Sequence, residues 1–415
     1  MTEKKKVLIL SDHALSTSGV GTQTRHLVNG LLTKNEWTFR QFGAALKHGT
    51  YDTVVVNEDF IIKPIDGFGS RDLIRVALAT EKPDILFIFT DPRFFIWLFE
   101  MEDEIHQICP IAWWHVWDNE PYPSFNHVLY ESVDLINCHS NMTYNLIKDR
   151  VNSKTNFIPH AVPETLFFPL SQTDRLSYKM QILGKDRLDH FVGIWVNRNA
   201  KRKRPADVVE SWKIFVDNIE KEHGHRKATL IMHTDPHDQE GPNLFKNVDL
   251  HSISDNVYFS TDRLEFEKMN VLYNISDVCI NISYAEGFGL STLEAMMTGC
   301  PMAAVKTGGL TRQVVDHTDG SENGVALPVE FRSLVGSQQV PFIYEDYVTC
   351  ETTAAGLMKL FNLSGSERTS LRDKCLKYAR ENFALEKTID EWHDTMKKLS
   401  TEWRGDYKRW ECFTL

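Results

Sequence analysis

The chain has no CxxC pair, and its seven cysteines (Cys109, Cys138, Cys279, Cys300, Cys350, Cys375 and Cys412) are scattered singly over 415 residues. Without paired spacing there is neither a zinc-finger ligand set nor a disulfide framework, and isolated thiols in odd number suit a reducing compartment. Long apolar runs are missing too. The amino-terminal run is only Val7 to Leu10, too short for the core of a signal peptide, and none reaches the ~20 residues that span a bilayer. The richest stretch, FFIWLF at 94–99, reads as a buried helix face. A cytoplasmic protein without a transmembrane segment is the expectation. Positive charge is in deficit. A net charge of −11 argues against a general binder of nucleic acid or anionic membrane, while leaving room for a local basic patch. There is no repeat of fixed period and no low-complexity tract.

What is present is the composition of a soluble globular protein, with 42% hydrophobic and 25% charged residues, on a chain too long for one compact core. Short aliphatic runs alternate with longer periodic segments, the pattern of βαβ units and parallel sheets. One series comprises VLIL (7–10), DILFIF (84–89), PIAWWHV (110–116) and DLINC (134–138). A second comprises FVGIWV (191–196), ATLIMH (228–233), NVYFS (256–260), DVCINIS (277–283) and PMAAV (301–305). A proline-containing connector around 159–175 separates them. The fold class is therefore α/β with two Rossmann-like domains, at 1–168 and 169–388, followed by a helix and tail at 389–415.

Candidate chemistry sits at the carboxyl ends of strands, where ligands gather in open α/β sheets. After the first strand, Gly19 and Gly21 lie in a loop before an amphipathic helix on which Leu27, Leu31 and Leu32 can face the sheet. Such glycines serve either a ligand or a close helix–strand crossing. His115 and Asp118 end another strand, whereas His139 and His160 have nothing to set them apart from structural histidines. In the second half, Arg198, Lys201, Arg202, Lys203 and Arg204 crowd into seven positions before a helix. Five cations repel one another unless solvent or an anion intervenes. At a strand end and a helix start, where N–H groups and the helix dipole also favour anions, a diphosphate fits that requirement.

The stretch SYAEGFGLSTLEAMMTGCP at 283–301 holds the densest signal. Gly287-Phe288-Gly289 makes a tight strand-to-helix turn, the helix starts near Leu290, and Gly299 and Pro301 close it. Glu286 then lies in the turn as a free carboxylate able to meet sugar hydroxyls. Glu294, about one turn into the helix, can accept bonds from a ribose.

The segment E-GFGLSTL-E is similar to the E-x7-E motif of retaining family 4 glycosyltransferases of the GT-B fold. SGVG near the start, Arg198 with Lys203 five positions on, and TGGL at 307–310 occur in that family's order. The resemblance implies two Rossmann-like domains facing each other across a cleft, with the first on the acceptor side, the second holding the donor, and the last helix crossing back to the first. Arg198 and Lys203 resemble the pair that neutralises the diphosphate leaving group. Glu286, with the N–H groups from Phe288 to Leu290, resembles the donor clamp, Glu294 the ribose ligand, and His115 the histidine that contacts the transferred sugar. Gly19 and Gly21 resemble the loop over donor phosphates or acceptor. The chain departs from the pattern twice. Lys203-Arg204 replaces Lys-Gly, and Thr311-Arg312-Gln313 replaces the acid usual after the Gly-Gly turn.

The implied reaction moves a sugar from a nucleoside-diphosphate sugar to an acceptor hydroxyl with retained configuration, by front-face attack, inside a closed and water-poor site. Cations and N–H dipoles meet the departing charge, so no metal or other cofactor is expected. HTDPHDQE at 233–240 has ligand types for a cation, yet its prolines and glycine read more as a loop lining the site. The alternatives are a nucleotide-sugar isomerase or epimerase of the same fold and a noncatalytic binding protein. The acceptor is open among glycan, lipid, protein, small molecule and a hydroxylated base in DNA, so nucleic acid enters only as an acceptor. Oligomeric state, the segment 317–348 and the Trp-rich tail are unassigned. Ile389, Trp392, Met396 and Leu399 share one helical face, and Trp403, Trp410 and Phe413 are expected to pack on the first domain.

Overall fold

The structure is a computed structural model, described for residues 4–45 and 51–406, with side chains to 403. It divides into two compact units. The first comprises residues 1–117, 122–160 and 385–415; the second comprises 118–121 and 161–384. The division falls at 160/161 and 384/385 instead of 168/169 and 388/389. Val162 and Phe167 are buried in the core of the second unit, while Thr388 donates to the Pro159 carbonyl in the first.

In the first unit, eight strands run β1 (Lys5–Asp12), β2 (Trp37–Ala44), β3 (Val54–Asn57), β4 (Phe60–Pro64), β5 (Ile85–Phe89), β6 (Ile111–His115), β7 (Leu135–Cys138) and β8 (Lys154–Phe157). They form one sheet in the order β3-β4-β2-β1-β5-β6-β7-β8, parallel except for the β3/β4 edge. Strands β2, β3, β4 and β8 are not among those expected. β2 hides because Arg40 and Gln41 interrupt its apolar residues, and Gln41 is buried only because Ser11 and the Asp12 carbonyl satisfy its amide. The FFIWLF stretch is a 3₁₀ turn (Pro92–Phe95) and one helical turn (Ile96–Phe99). Phe95, Leu98 and Phe99 are buried, but Phe94 and Ile96 are about half exposed, so it is not an all-round buried face.

The helix Leu385–Asp406 belongs to this unit, where Ile389, Trp392, Met396 and Leu399 enter the core against Phe87 and Trp114. The Trp37 indole donates to His393 Nδ1 at 2.9 Å, and Trp403 lies beside His106. Trp410 and Phe413 lie outside the described residues.

In the second unit, β9 (Phe191–Val196), β10 (Ala228–His233), β11 (Val257–Ser260), β12 (Val278–Asn281), β13 (Met302–Val305) and β14 (Gly324–Leu327) form a parallel sheet in the order β11-β10-β9-β12-β13-β14. The segment 317–348 resolves into β14 and a hairpin of β15 (Phe331–Val335) and β16 (Ile343–Tyr347). Reading outward from β9, the order is 3-2-1-4-5-6, that of a dinucleotide-binding sheet. The order reverses between β9 and β12, which pair directly through Val278 with Gly193 and Cys279 with Ile194. Their following loops, about 80 residues apart in sequence, therefore leave the sheet side by side at the switch point, where ligands bind. The helix Pro205–His223 buries Val208, Trp212, Phe215 and Ile219 at helical spacing, closing one face. No helix of the described residues is long and apolar enough to cross a membrane.

Candidate functional site

In the second unit the loops after β9 and β12 are stitched together. The Tyr284 N–H donates to the Arg202 carbonyl at 3.0 Å, and Arg202 Nη1 donates to the Ala285 carbonyl at 2.6 Å. Lys203 Nζ binds the Glu286 carboxylate, and both side chains are nearly buried, at 13% and 11% exposed. Asn281 Nδ2 and Ser283 Oγ also donate to Glu286, at 3.5 and 3.3 Å. Glu286 is thus not the free carboxylate expected of the turn. Burial works to raise its pKa, but Lys203 and Arg202 outweigh burial and hold it at about 2, so the group is ionised at neutral pH.

Four of the five crowded cations find carboxylates within the protein. Lys203 takes Glu286, Arg202 lies 3.4 Å from Asp118, Arg204 takes Asp207 at 2.7 Å, and Arg198 takes Asp238 at 2.7 Å and Glu240 at 3.1 Å. Arg198 and Lys203 thus engage separate carboxylates. Asn199 holds the Pro242 carbonyl at 2.8 Å, which fixes the 235–242 loop beside Arg198, and the guanidinium follows that loop's acids. His233, Asp235, His237 and Asp238 do not converge. Among the described residues, the group close enough to share a cation is Asp207, Glu210 and Cys350, where burial pushes the thiol up to about 11.

The turn 286–289 is built as expected and held by partners that the spacing did not disclose. Gly289 is the N-cap at φ +90°, and the helix runs Leu290–Met297, with Gly299 following its C-cap Thr298. The first N–H groups of a helix have no intrahelical acceptor, so Leu290 opens an anion-favouring end. TGGL packs directly on this turn. Gly309 N–H donates to the Glu286 carbonyl at 2.9 Å, and Gly308, at φ +48°, sits where a Cβ would strike that same oxygen. Gln313 is fully buried. Its amide donates to the Phe288 and Gly289 carbonyls at 2.6 and 3.2 Å and accepts from Thr292 at 2.6 Å. Gln313, one of the three residues at 311–313 where the family has an acid, thus clamps the turn's carbonyls by donation, which an ionised carboxylate could not do. Arg204 takes the left-handed conformation, φ +54°. That costs a non-glycine residue about 1 kcal/mol or more, and its side chain lies over the rings of Tyr284 and Tyr347 at 5.1 and 5.7 Å.

Glu294, one turn into the helix, accepts from the Tyr273 hydroxyl at 2.7 Å. Burial raises its pKa to about 7, against the lowering effect of that bond. The hairpin braces the whole: Asp346 accepts from Thr307 at 2.6 Å and Arg332 at 2.7 Å, and its N–H donates to the Tyr284 carbonyl at 2.9 Å. Tyr344 N–H donates to the Glu120 carbonyl, so residues 118–121 join this unit beside Arg202.

In the first unit, Gly19 and Gly21 are not in a loop. They form the first turn of the helix Gly19–Leu32, capped by Ser18 Oγ on the Gly21 N–H at 3.0 Å, and a Cβ on Gly21 would meet the His13 carbonyl. The missing side chain serves that close crossing. His115 is 0% exposed, with Nε2 at 3.1 Å from Tyr130 Oη, and burial followed by His139 holds it well below the ordinary histidine range. It is enclosed and neutral.

Residues 193–334 match the family model of glycosyl transferases group 1. No curated protein sequence matches the chain significantly. Solved structures match over nearly the whole length. Sucrose-phosphate synthase from Thermosynechococcus elongatus has a TM-score of 0.74 at 16% identity, over 95% of this chain and 99% of that one. The chain has the GT-B fold. GT-B relatives of similar closeness are Anabaena HepE, solved in complex with UDP and glucose (0.68, 14% identity, 96% and 100% covered), and an α,α-trehalose-phosphate synthase (UDP-forming) from Burkholderia vietnamiensis (0.69, 11%, 98% and 99%). The group 1 match covers β9 to β15 and so contains the whole stitched pair of loops.

Proposed function

We propose that the protein is a retaining, metal-independent glycosyltransferase that moves a sugar from a nucleoside-diphosphate sugar to an acceptor hydroxyl. The observation that carries this reading is the cross-linking of the β9 and β12 loops. Lys203 and Glu286 meet there, one turn before the open end of the Leu290–Met297 helix, at the switch point of a Rossmann-ordered sheet. The group 1 match over this segment, and the UDP in the HepE complex, support it.

In this reading the bond between the anomeric carbon and the β-phosphate oxygen breaks while the acceptor oxygen bonds to the same face of the sugar. The acceptor proton passes to the departing phosphate. Lys203 and the helix N–H groups meet the developing charge in place, which is worth most where water is scarce. Glu286, ionised and fixed by Lys203, Asn281 and Ser283, positions the sugar and stabilises positive charge at its ring; it is not a proton shuttle. Glu294 takes the ribose, and the first unit takes the acceptor.

The test is thermal-shift screening against UDP-, GDP- and ADP-sugars, then mass detection of product with candidate acceptors. Product of retained configuration, formed in EDTA, is expected. Inverted product, or activity lost in EDTA and restored by a divalent ion, would overturn the corresponding part. Conversion of the donor without any acceptor would favour an isomerase, and binding without turnover a noncatalytic protein.

A further inference from the structure

We infer that the second unit holds a phosphate-sized oxyanion at the amino edge of its sheet, gripped by Arg175, Lys179 and Arg372. The loops of the proposed donor site leave the carboxyl edge, so this site is a separate one and does not rest on the transferase reading. Two helices build it. Arg175 and Lys179 stand one turn apart on the helix Gln172–Leu183, and Arg368 and Arg372 one turn apart on the helix Gly365–Asn382. Like charges at that spacing repel, and an anion between the two pairs relieves both. The first helix is also turned inside out. Arg175 and Lys179 are half-buried on the face that carries the buried Leu183, while Leu176, Tyr178 and Met180 are exposed. A surface helix ordinarily buries its apolar stripe and leaves its charges in water.

The cations converge on the starts of two neighbouring strands. Arg175 Nε donates to the Asn274 carbonyl at 2.7 Å and Arg372 Nη1 to the Ser276 carbonyl at 3.1 Å, two residues apart in the chain just before β12. Lys179 Nζ donates to the His190 carbonyl at 2.6 Å, and Arg368 lies over the ring of Phe191, the first residue of β9. The two strand starts are tied together, because Asp277 accepts from the Val192 N–H at 2.8 Å. Burial first, and then Arg372, lowers the pKa of Arg175; burial first, and then Arg175 and Arg368, lowers that of Lys179 against Asp277 and Asp189. The four cations therefore feel one another. Among the described residues their hydrogen bonds run to main-chain carbonyls, and none of the four forms an ion pair. Asp277 brings one negative charge and the carbonyl ends of the helices Phe266–Asn274, Leu290–Met297 and Cys350–Phe361 roughly half a charge each, which leaves the cations in excess. Donors remain for a ligand. Among the described residues Arg175 bonds through Nε alone, Arg372 through Nη1 and Nη2, and Lys179 through one N–H. Two guanidinium forks and an ammonium around one point suit a doubly charged tetrahedral anion, which phosphate and its monoesters are near neutral pH.

The experiment follows the Tm of the full chain against inorganic phosphate, sulfate and glycerol 3-phosphate, each replacing chloride at constant ionic strength, since a ligand of the folded state stabilises it by mass action. Saturable stabilisation of the wild type is expected. The phosphate concentration at half effect should rise about tenfold or more in Arg175→Gln and in Lys179→Met, each the loss of a charged hydrogen bond. Arg175→Lys should recover part of it. Leu176→Gln, on the outward face of the same helix, should stay within about threefold of the wild type. The shift is read within each variant, so a lower starting Tm does not hide it. Tighter binding of inorganic phosphate than of the ester marks the free ion as the ligand, and the reverse a phosphate monoester; either supports the site. A linear rise shared by the wild type and all variants is exclusion of the salt from the surface and overturns the inference. So does a saturable effect that Arg175→Gln and Lys179→Met leave unchanged and Lys203→Ala removes, which would put the anion at the donor loops.

Discussion

The two sheets share a strand order around their switch points, β4-β2-β1-β5 in the first unit and β11-β10-β9-β12 in the second, yet their carboxyl edges carry different side chains. In the second unit the edge is ionised, with Arg202 and Lys203 after β9, Glu286 after β12 and Asp118 of the 118–121 segment joined by ion pairs. In the first the edge is lined by buried imidazole, hydroxyl and amide groups. His115 and His160 are held well below the ordinary histidine range by burial and by His139, burial pushes the Asp12 carboxyl up against a bond from Ser18, and the Gln41 amide donates to Ser11 and the Asp12 carbonyl and accepts from the Ala14 N–H. Strand order fixes where loops meet; it does not fix the charge they bring.

The sharpest way to break this contrast is to remove a charge from the ionised edge. Lys203→Ala leaves Glu286 buried without its cation, and a loss of about 3–5 kcal/mol is expected, read by urea unfolding of the second unit. Next is Glu286→Gln, which keeps the shape and removes the charge. Turnover should fall by about 10²–10³, the usual cost of one preorganised electrostatic group, with nucleotide affinity nearly intact. Equal losses of both would mean that Glu286 only binds the donor. Gln313→Ala frees the Phe288 and Gly289 carbonyls in a buried site and should cost about 1–3 kcal/mol. Gln313→Glu should be no better, because a carboxylate cannot donate to them.

The smallest effect is the pH response, and it should run in opposite directions in the two units. Glu294 has a folded pKa raised from 4.5 to about 7, so its contribution is full below 4.5 and is lost as pH rises through 7. His115 has a depressed folded pKa, so its contribution is full above 6.5 and is lost on acidification. Neither should exceed about 1.4 kcal/mol per pH unit, and the partial exposure of Glu294 reduces its share. Unfolding followed by probes in each unit should show the second weakening on the alkaline side and Glu294→Gln abolishing that trend. Parallel pH profiles in both units would dissolve the contrast.

Much of the scaffold was legible in the residues. FVGIWV and ATLIMH are strands to the residue, because a buried parallel strand is a short apolar run that nothing else imitates between turn signals. The turn before Leu290 is equally readable, since Gly289 and Gly299 bracket a helix in the way local backbone preference dictates. β2 was hidden by Arg40 and Gln41, whose placement depends on partners in other segments, Glu81 and Ser11.

The sequence by itself determined the two α/β halves, the position of the glycine turn, and the pool of charged residues around it, because these follow from period, steric preference and composition within a few neighbouring residues. Only the tertiary structure decided which members of that pool meet. It gave Glu286 to Lys203, sent Arg198 to Asp238, enclosed His115 beside Tyr130, and set Gln313 under the turn. Each of those partners lies between 15 and 83 positions away in the chain, and the strand order that brings them within bonding distance is invisible to local pattern.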